Sequence, residues 1–475
     1  MAARVLQVTG TSSGSGKSTV AMAMAYHFRK LGYRVCPFKA VNMSLNSVVV
    51  HNGEMSRAQW LQALAAGARP DVRMNPVLLK PEGQGSQVIV NGRAMGRMAV
   101  REYYSYISSD GLMKILESIQ WAMGDSDIVV SEGAGSPAEI NLLRFDLSNG
   151  LLPEISGCPI VMVGDIERGG VFASLYGTLE LMPHRSQVKA LVINRMRGDT
   201  SILEPGIRLL EGLSGTRVAG VVPFFEFNLP GEDSMDYQGD TGSEEVCVLR
   251  YPHMENYSEV DPLRYYGVGY SYVDHRNAGK ILNARLVVLP GSKLVFEDLA
   301  YIRRHGIDRL IMKARERGAS VLGVCGGYQI LGKSISDPSA VQSSGSFTEG
   351  LGLLDVETEY AKEKTIREVE YNIRNSHLTS QRYRGYEIHY GMVRNLSEEP
   401  FLETDLGPEG AVSRDGAVMG TNVHGVLESR ELIEHILGRK VPVSSYMEGL
   451  EAEVRRVSER ILSCLDLDYI ERLVL

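Results

Sequence analysis

The sequence predicts an α/β protein built from two doubly wound domains, each on a parallel sheet. Three observations lead there. Short, wholly apolar runs alternate with helical stretches along the first half of the chain. The first run, "RVLQVTG", opens into a glycine- and serine-rich loop, "GTSSGSGKST", at Gly10–Thr19. A second alternating series later ends in "ASVLGVCGGYQILG", where a cysteine stands between glycines straight after an apolar run. Runs that are apolar on both faces and bounded by turn residues suit parallel strands covered on both sides by helices.

In order, "RVLQVTG", "RVCPFKA", "DIVVSEGAG", "CPIVMVGDI", "QVKALVINR" and "TRVAGVVPF" read as strands of the first sheet, and "STVAMAMAYHFRKLG" as a helix closed by glycine. The polar, acidic stretch "NLPGEDSMDYQGDTGSEE" is the best linker. After it come "EVCVLRYP", "ARLVVLPGSK", "DLAYIRRHGIDRLIMKARERG" and the cysteine segment, and then an amphipathic "YMEGLEAEVRRVSERILSCL" near the end. The expected layout is residues 1–233 for a phosphate-loop domain, 234–247 for the linker, 248–440 for the second α/β domain and 441–475 for a helical extension.

Composition narrows the function. The 475 residues are 44% hydrophobic and 23% charged, with a net charge of -8, which argues against a broad nucleic-acid surface. No run approaches the roughly 18 apolar residues of a membrane span, and "MAARVLQVTG" does not read as a signal peptide. Five scattered cysteines, with no CxxC pair, fit a reduced cytoplasm rather than a disulfide framework. A cytoplasmic protein without nucleic-acid or membrane partners is therefore expected.

The phosphate loop has Gly16, Lys17 and Ser18 in the Walker A order. Thr11 stands where the first glycine is usual, and Gly10 lies one residue further out. Backbone N–H groups of Gly10, Thr11, Ser13, Gly14, Ser15, Gly16 and Thr19 can wrap a phosphate chain at a helix N-terminus, while Lys17 supplies a point charge and Ser18 a magnesium ligand. ATP and Mg²⁺ are the expected cofactors. The second lysine of partner-switching ATPases is absent, since that position is Ser12. Glu132, at the end of "DIVVSE", is the candidate second Mg²⁺ ligand. Asp165, Glu167 and Arg168 in "VGDIERGG" are expected to face the same crevice. Asn194, at the end of "ALVIN", is a candidate for reading an adenine edge, with an ordinary strand-end turn as the alternative.

"GVCGG" has the form of a nucleophile elbow, a sharp strand-to-helix turn that places Cys325 at a helix N-terminus. Gly326 and Gly327 follow it, and Gly291 in "LPGSK" could bring a second oxyanion donor. A thiol nucleophile needs a base. His377 lies in a polar stretch and His435 in a helical one. His424 in "TNVHG" and His389 in "GYEIHYG" are both strand-embedded beside glycine, and spacing favours His424.

The longer G-x5-G-K spacing resembles the dethiobiotin synthetase group. Together with "NMSLNS", "GEMSRAQWLQALAAG", "MNPVLLKP", "SQVIVNGR", "SEGAGSPAEINL", "GDIERGGVFASLYGT", "LPGSK", "GVCGGYQILG", "GYEIHYG" and "TNVHG", it makes nearly the whole chain resemble the glutamine-dependent cobyric acid synthase family of cobalamin biosynthesis. The resemblance implies a P-loop NTPase-like ligase domain, similar to dethiobiotin synthetase, and a flavodoxin-like class I glutamine amidotransferase domain. It implies L-glutamine and a corrinoid polycarboxylate as substrates, with ATP-dependent amidation of the b, d, e and g carboxylates of adenosylcobyrinic acid a,c-diamide. It implies Cys325 as nucleophile and His424 as its partner. The related cobyrinic acid a,c-diamide synthases carry a "GxMGLxDG"-like run where this chain has "GAGSPAEINL". Amidation of another polycarboxylate, or a nucleotide switch with a decayed glutaminase domain, are the alternatives. Two positions depart from the pattern. Val426 stands where many class I amidotransferases place a glutamate two residues after the histidine, and "FKAVN" replaces "FKPQN" at Phe38–Asn42. Ammonia is expected to travel to the ligase chemistry away from bulk water.

Overall fold

The computed structural model describes residues 3–82, 85–231, 241–342, 347–374, 381–443 and 445–475. His377 and positions 234–240 of the expected linker lie outside the described residues. The chain divides into two compact units. One holds Met1–Ser44, Glu54–Leu229 and Glu451–Leu475; the other holds Leu45–Gly53 and Pro230–Leu450. This path is more interleaved than a linear cut: a short segment at 45–53 groups with the second unit, and the C-terminal helices group with the first.

In the first unit, six parallel strands run in the order Arg217–Pro223, Val188–Met196, Ile160–Asp165, Arg4–Gly10, Ile128–Glu132, Val35–Phe38. All six apolar runs named from the sequence are here. Their interior is dry because both faces are covered. Ile160, Met162, Leu191 and Ile193 pack with Val171, Leu175 and Leu179 of the helix Val171–Leu181 and Leu210 of the helix Glu204–Ser214. Each such side chain removed from water contributes about 1.5–3 kcal/mol. Chain order reverses at Arg4–Gly10, whose neighbours are Ile128–Glu132 and Ile160–Asp165. That is the crevice where an open α/β sheet receives ligands. A second sheet, Val41–Met43, Val77–Glu82, Gly85–Val90 and Arg93–Ala99, is mostly antiparallel and had no separate sequence signal.

The C-terminal residues cap the edge strand of this unit. Asp466 N–H donates to the Ala219 carbonyl at 2.7 Å, Gly220 bridges Leu465, and Tyr26 donates to Glu459 at 3.0 Å. An edge strand left open would present unpaired backbone groups.

The second unit is centred on the order Tyr270–Val273, Val246–Leu249, Leu286–Leu289, Ser320–Val324, Val418–Thr421, with Ala411–Val412 antiparallel at the edge. Another sheet is dominated by the long antiparallel pair Val356–Ile373 and Tyr383–Asn395, broken by an irregularity between Tyr360 and Thr365. Val423–His424 pairs with its second strand through Tyr386↔His424. Among the described residues, no helix is long and apolar enough to cross a membrane.

The C-terminal cap sets a test. A Cβ on Gly220 would stand 2.2 Å from the Cys464 carbonyl oxygen, a backbone atom that cannot swing away. Gly220→Ala is expected to lower unfolding stability by about 1–3 kcal/mol, measured by urea denaturation. An unchanged midpoint would mean that the terminus does not lie on this strand.

Candidate active sites

In the first unit, the strand Arg4–Gly10 runs into the loop, and the helix Lys17–Lys30 begins behind it. Gly14 and Gly16 have φ of 72° and 98°, the left-handed region open to glycine. Thr11 N–H donates to the Val163 carbonyl at 3.0 Å and Thr19 Oγ1 to the Gly16 carbonyl at 2.9 Å, fixing the two ends of the loop. Ser13 and Gly14 are exposed at its crest. Lys17 Nζ reaches back to the Ser12 carbonyl at 2.8 Å. Ser15 Oγ is buried and without a hydrogen-bond partner, a donor suited to an anion in the cradle.

Glu132 is fully buried and gathers three donors. Ser18 Oγ and Lys39 Nζ both approach Oε1 at 2.8 Å, and Gln62 Nε2 donates to Oε2 at 2.5 Å. The structure therefore brings Ser18 and Glu132 together. It adds Lys39 and Gln62, which sequence reasoning missed. Lys39 is the lysine of "FKAVN", the departing motif. Gln62 is one of two glutamines on an otherwise alanine- and leucine-rich helix, Arg57–Ala66. Buried glutamines on such a helix were the available signal.

Asn194 lies at the end of its strand, against the phosphate loop. Its Nδ2 donates to the Ser15 carbonyl at 2.9 Å, and a Cβ on Gly16 would lie 2.0 Å from that nitrogen. The amide is buried and tied to the loop backbone through this bond. Asp165 is paired with Arg195 at 3.1 Å and Glu167 with Arg197 at 2.6 Å, while Arg168 is exposed.

In the second unit, Cys325 ends the strand Ser320–Val324 with φ 53° and ψ -112°, strained for a non-glycine residue, and the short helix Gly326–Leu331 follows. The elbow is held by close backbone approach. A Cβ on Gly327 would lie 1.9 Å from the Leu289 carbonyl oxygen, and one on Gly326 would lie 2.7 Å from Ser292 N. The "LPGSK" loop thus lies directly against the turn, as the sequence suggests. A Cβ on Gly291 would be 3.5 Å from His424 Cε1, so Gly291 borders the imidazole as well. Ser292 Oγ donates to the buried Asp298 at 2.6 Å, which also sits 2.9 Å from His253 Nδ1 and anchors the loop from behind.

His424 is the histidine at this centre. It is fully buried, and its Nδ1 lies 3.0 Å from Glu259 Oε2. The same carboxylate accepts the Gly425 N–H at 3.0 and 3.1 Å. A carboxylate only accepts, so Nδ1 carries the proton shared with it, and Nε2 is buried without a hydrogen-bond partner. Burial alone would lower the His424 pKa; the adjoining Cys325 sulfur and the Glu259 carboxylate outweigh it and raise the imidazole well above its ordinary range. Tyr386 stacks on the ring at 5.0 Å and 11°. His389, the rival, turns Nδ1 to the Gly391 carbonyl at 2.8 Å and has its Nε2 3.8 Å from Glu387. His435 lies on the helix Arg430–Leu437.

Glu259 supplies the carboxylate that position 426 lacks. It sits 165 residues before His424, in the 3-10 turn Tyr257–Val260. No spacing rule links the two, and an acid in the short run "NYSEVD" carries no local signal of its own.

A nucleotide cradle in one unit and a cysteine–histidine–glutamate centre in the other define a glutamine-fed, nucleotide-dependent synthetase. The profile described as the CobQ/CobB/MinD/ParA nucleotide binding domain matches residues 6–231, and that of the CobB/CobQ-like glutamine amidotransferase domain matches residues 245–432. The chain is 50% identical to a probable cobyric acid synthase of Thermoplasma acidophilum, over 98% of this chain and 99% of that one. It is 48% identical to a probable cobyric acid synthase of Picrophilus torridus, over 94% of each. A cobyric acid synthase of Thermoanaerobacter sp. is 38% identical over 97% of each chain. The chain belongs to the cobyric acid synthase family.

The strand that delivers His424 carries a pH signature. Burial pushes the Glu409 carboxyl up to about 7, although the Thr421 hydroxyl and the Asn422 N–H (2.8 Å) both donate to it. Its folded pKa is above its unfolded one, so its contribution to stability is complete below about pH 4.5 and is lost as pH rises through 7. The difference is of the order of 3 kcal/mol. Glu409→Gln is expected to remove this part of the fall in Tm between pH 5 and about pH 8, read by thermal melts of both proteins across that range. Parallel profiles for the two would show that Glu409 is not buried in its acid form.

Proposed function

We propose that this protein uses ATP and glutamine to amidate the b, d, e and g carboxylates of adenosylcobyrinic acid a,c-diamide, giving adenosylcobyric acid. The observation that carries the corrinoid substrate is full-length identity of 50% to a probable cobyric acid synthase. The residues supply the chemistry.

At the glutaminase centre, Cys325 gives its thiol proton to His424 Nε2 and the thiolate Sγ attacks the side-chain amide carbon of glutamine. The oxyanion is met by backbone N–H groups of the Gly326 turn and the adjoining Gly291 loop. The C–N bond breaks as His424 gives its proton to the leaving nitrogen, and ammonia departs. His424 then takes a proton from water, which opens the thioester to glutamate and restores the thiol. Glu259 stabilises the imidazolium at each protonated stage.

At the nucleotide site, the loop Gly10–Thr19 holds the phosphate chain, with Lys17 and Lys39 countering its charge. Ser18 Oγ and the Glu132 carboxylate are 2.8 Å apart beside the loop, a pair of hard oxygen donors suited to Mg²⁺ together with phosphate oxygens. Bound there, Mg²⁺ supplies charge neutralisation for phosphoryl transfer. A substrate carboxylate takes the terminal phosphoryl group from ATP, ammonia attacks the acyl carbon, and phosphate leaves with formation of the amide.

Purified protein with glutamine, ATP, Mg²⁺ and adenosylcobyrinic acid a,c-diamide is expected to convert four carboxylates stepwise to amides, followed by mass spectrometry of the corrinoid. Unchanged corrinoid beside active glutamine hydrolysis would exclude this acceptor. Cys325→Ser is expected to cost about 10³-fold or more in glutamine-dependent synthesis and to leave synthesis from ammonium salts intact. A folded mutant inactive with both nitrogen sources would rule out two separable chemistries. Lys39→Met should instead depress the ammonium-dependent reaction by about 10²-fold, since it removes charge from the phosphoryl-transfer half.

A further inference from the structure

The segment Leu45–Gly53 lies in sequence inside the region matched by the nucleotide-binding profile, residues 6–231, yet it packs within the glutaminase unit. Its contacts there converge on the two groups that bracket His424.

One arm leads to Glu259. Asn256 precedes the turn Tyr257–Val260 that carries Glu259, and it has φ 51°, a left-handed conformation that asparagine tolerates. It is held on both sides by the segment. Asn256 N–H donates to the Leu45 carbonyl at 3.3 Å, and Asn256 Oδ1 accepts from Ser47 N–H at 3.1 Å and Ser47 Oγ at 3.3 Å. Within the turn, Ser258 Oγ donates to Asn46 Oδ1 at 2.8 Å, while Asn46 Nδ2 donates to the Gly231 carbonyl at 2.9 Å. Asn46 and Ser47 are completely buried and Asn256 is 2% exposed. The other arm leads to the imidazole face. Tyr386, stacked on His424, donates its hydroxyl to the Ser47 carbonyl at 3.1 Å.

We infer that Asn46 and Ser47, acting through Asn256 and Tyr386, are positioning residues for the glutaminase centre: they set the turn that aims Glu259 at His424 and the ring that fixes the imidazole plane. This rests on the glutaminase reading above. A buried polar strap of this kind exceeds what packing requires, because a well-packed apolar segment would cover the same surface without desolvating three side chains. Its use is directional, since hydrogen bonds fix the turn where apolar contact would let it slide.

The test uses the full chain. Asn256→Gly keeps the left-handed backbone and deletes the amide. Tyr386→Phe keeps the stacked ring and deletes the hydroxyl. Glu259→Gln removes the charge at the end of the first arm. Asn256→Gly is expected to lower kcat for glutamine hydrolysis about tenfold with KM for glutamine within about twofold, while synthesis from ammonium salts is unchanged. Tyr386→Phe should show the same split in smaller measure. In the Glu259→Gln background, Asn256→Gly should add little further loss, because the arm acts through that carboxylate. Additive losses, an effect on KM alone, or equal loss of the ammonium reaction would overturn the inference. The parent protein separates the two levels: if it hydrolyses no glutamine, the glutaminase reading fails; if it does and the variants match it, only the positioning role fails.

Discussion

The second unit is organised around one buried charge. Glu259 is sealed from water, and an uncompensated carboxylate there would cost several kcal/mol. It needs donors that cannot move away. His424 Nδ1 and the Gly425 N–H provide them, and the surrounding backbone is bent to allow this. Gly425 has φ 90°, which lets its N–H turn to the carboxylate. Gly385 stands where a Cβ would lie 2.5 Å from the His424 carbonyl oxygen, so the paired strand can press against the histidine's own backbone. Once the ion pair is made, the tautomer and ring plane of His424 follow, and with them the nitrogen presented to Cys325.

The first unit solves the same problem with another carboxylate. Glu132 takes a hydroxyl, an ammonium and an amide in a buried place beside the phosphate loop. Elsewhere in this unit, Lys80 and Glu54 form a pair with no exposure at all. Removing one member of such a pair costs about 3–5 kcal/mol, while the intact pair adds little net stability. These charges are therefore poor candidates for stabilisers. Glu132 is better understood as a fixed charge partner that places Lys39 and Ser18 before substrate arrives, which lowers the reorganisation needed during phosphoryl transfer.

How much of this was legible depends on the physical origin of each feature. The six strands of the first sheet were readable because burial on both faces leaves nothing but apolar residues in them. The order of those strands was not, since neighbours are chosen by crossovers that leave no local mark. The long pair Val356–Ile373 and Tyr383–Asn395 escaped because it is half exposed, rich in charge and irregular at Tyr360 to Thr365. Cys325 and the phosphate loop announced themselves through glycine, where backbone geometry constrains residue type. Lys39, Gln62 and Glu259 did not, because a side chain that meets its partner across the fold obeys no spacing. Asn194 was placed correctly at a strand end, but its partner, the Ser15 carbonyl, is a backbone atom that composition cannot reveal.

The position of Glu259 then has a structural explanation. Four neighbouring parallel strands of the second unit each end at the same edge of the sheet and each supplies one part. After Val246–Leu249 the chain reaches the Glu259 turn; after Leu286–Leu289, the Gly291 loop; after Ser320–Val324, Cys325; after Val418–Thr421, His424. Ligand sites in open parallel sheets form at the carboxyl ends of the strands because the loop leaving each strand starts there. What the chemistry demands is a carboxylate within reach of Nδ1, and any of these strand-end loops can deliver one. A glutamate two residues beyond the histidine meets the demand from the histidine's own strand. Glu259 meets it from three strands away, which leaves position 426 free to be valine and buried. The absent glutamate at 426 is thus a relocation within one architecture, and a reading of decay from that single position would mistake chain order for geometry.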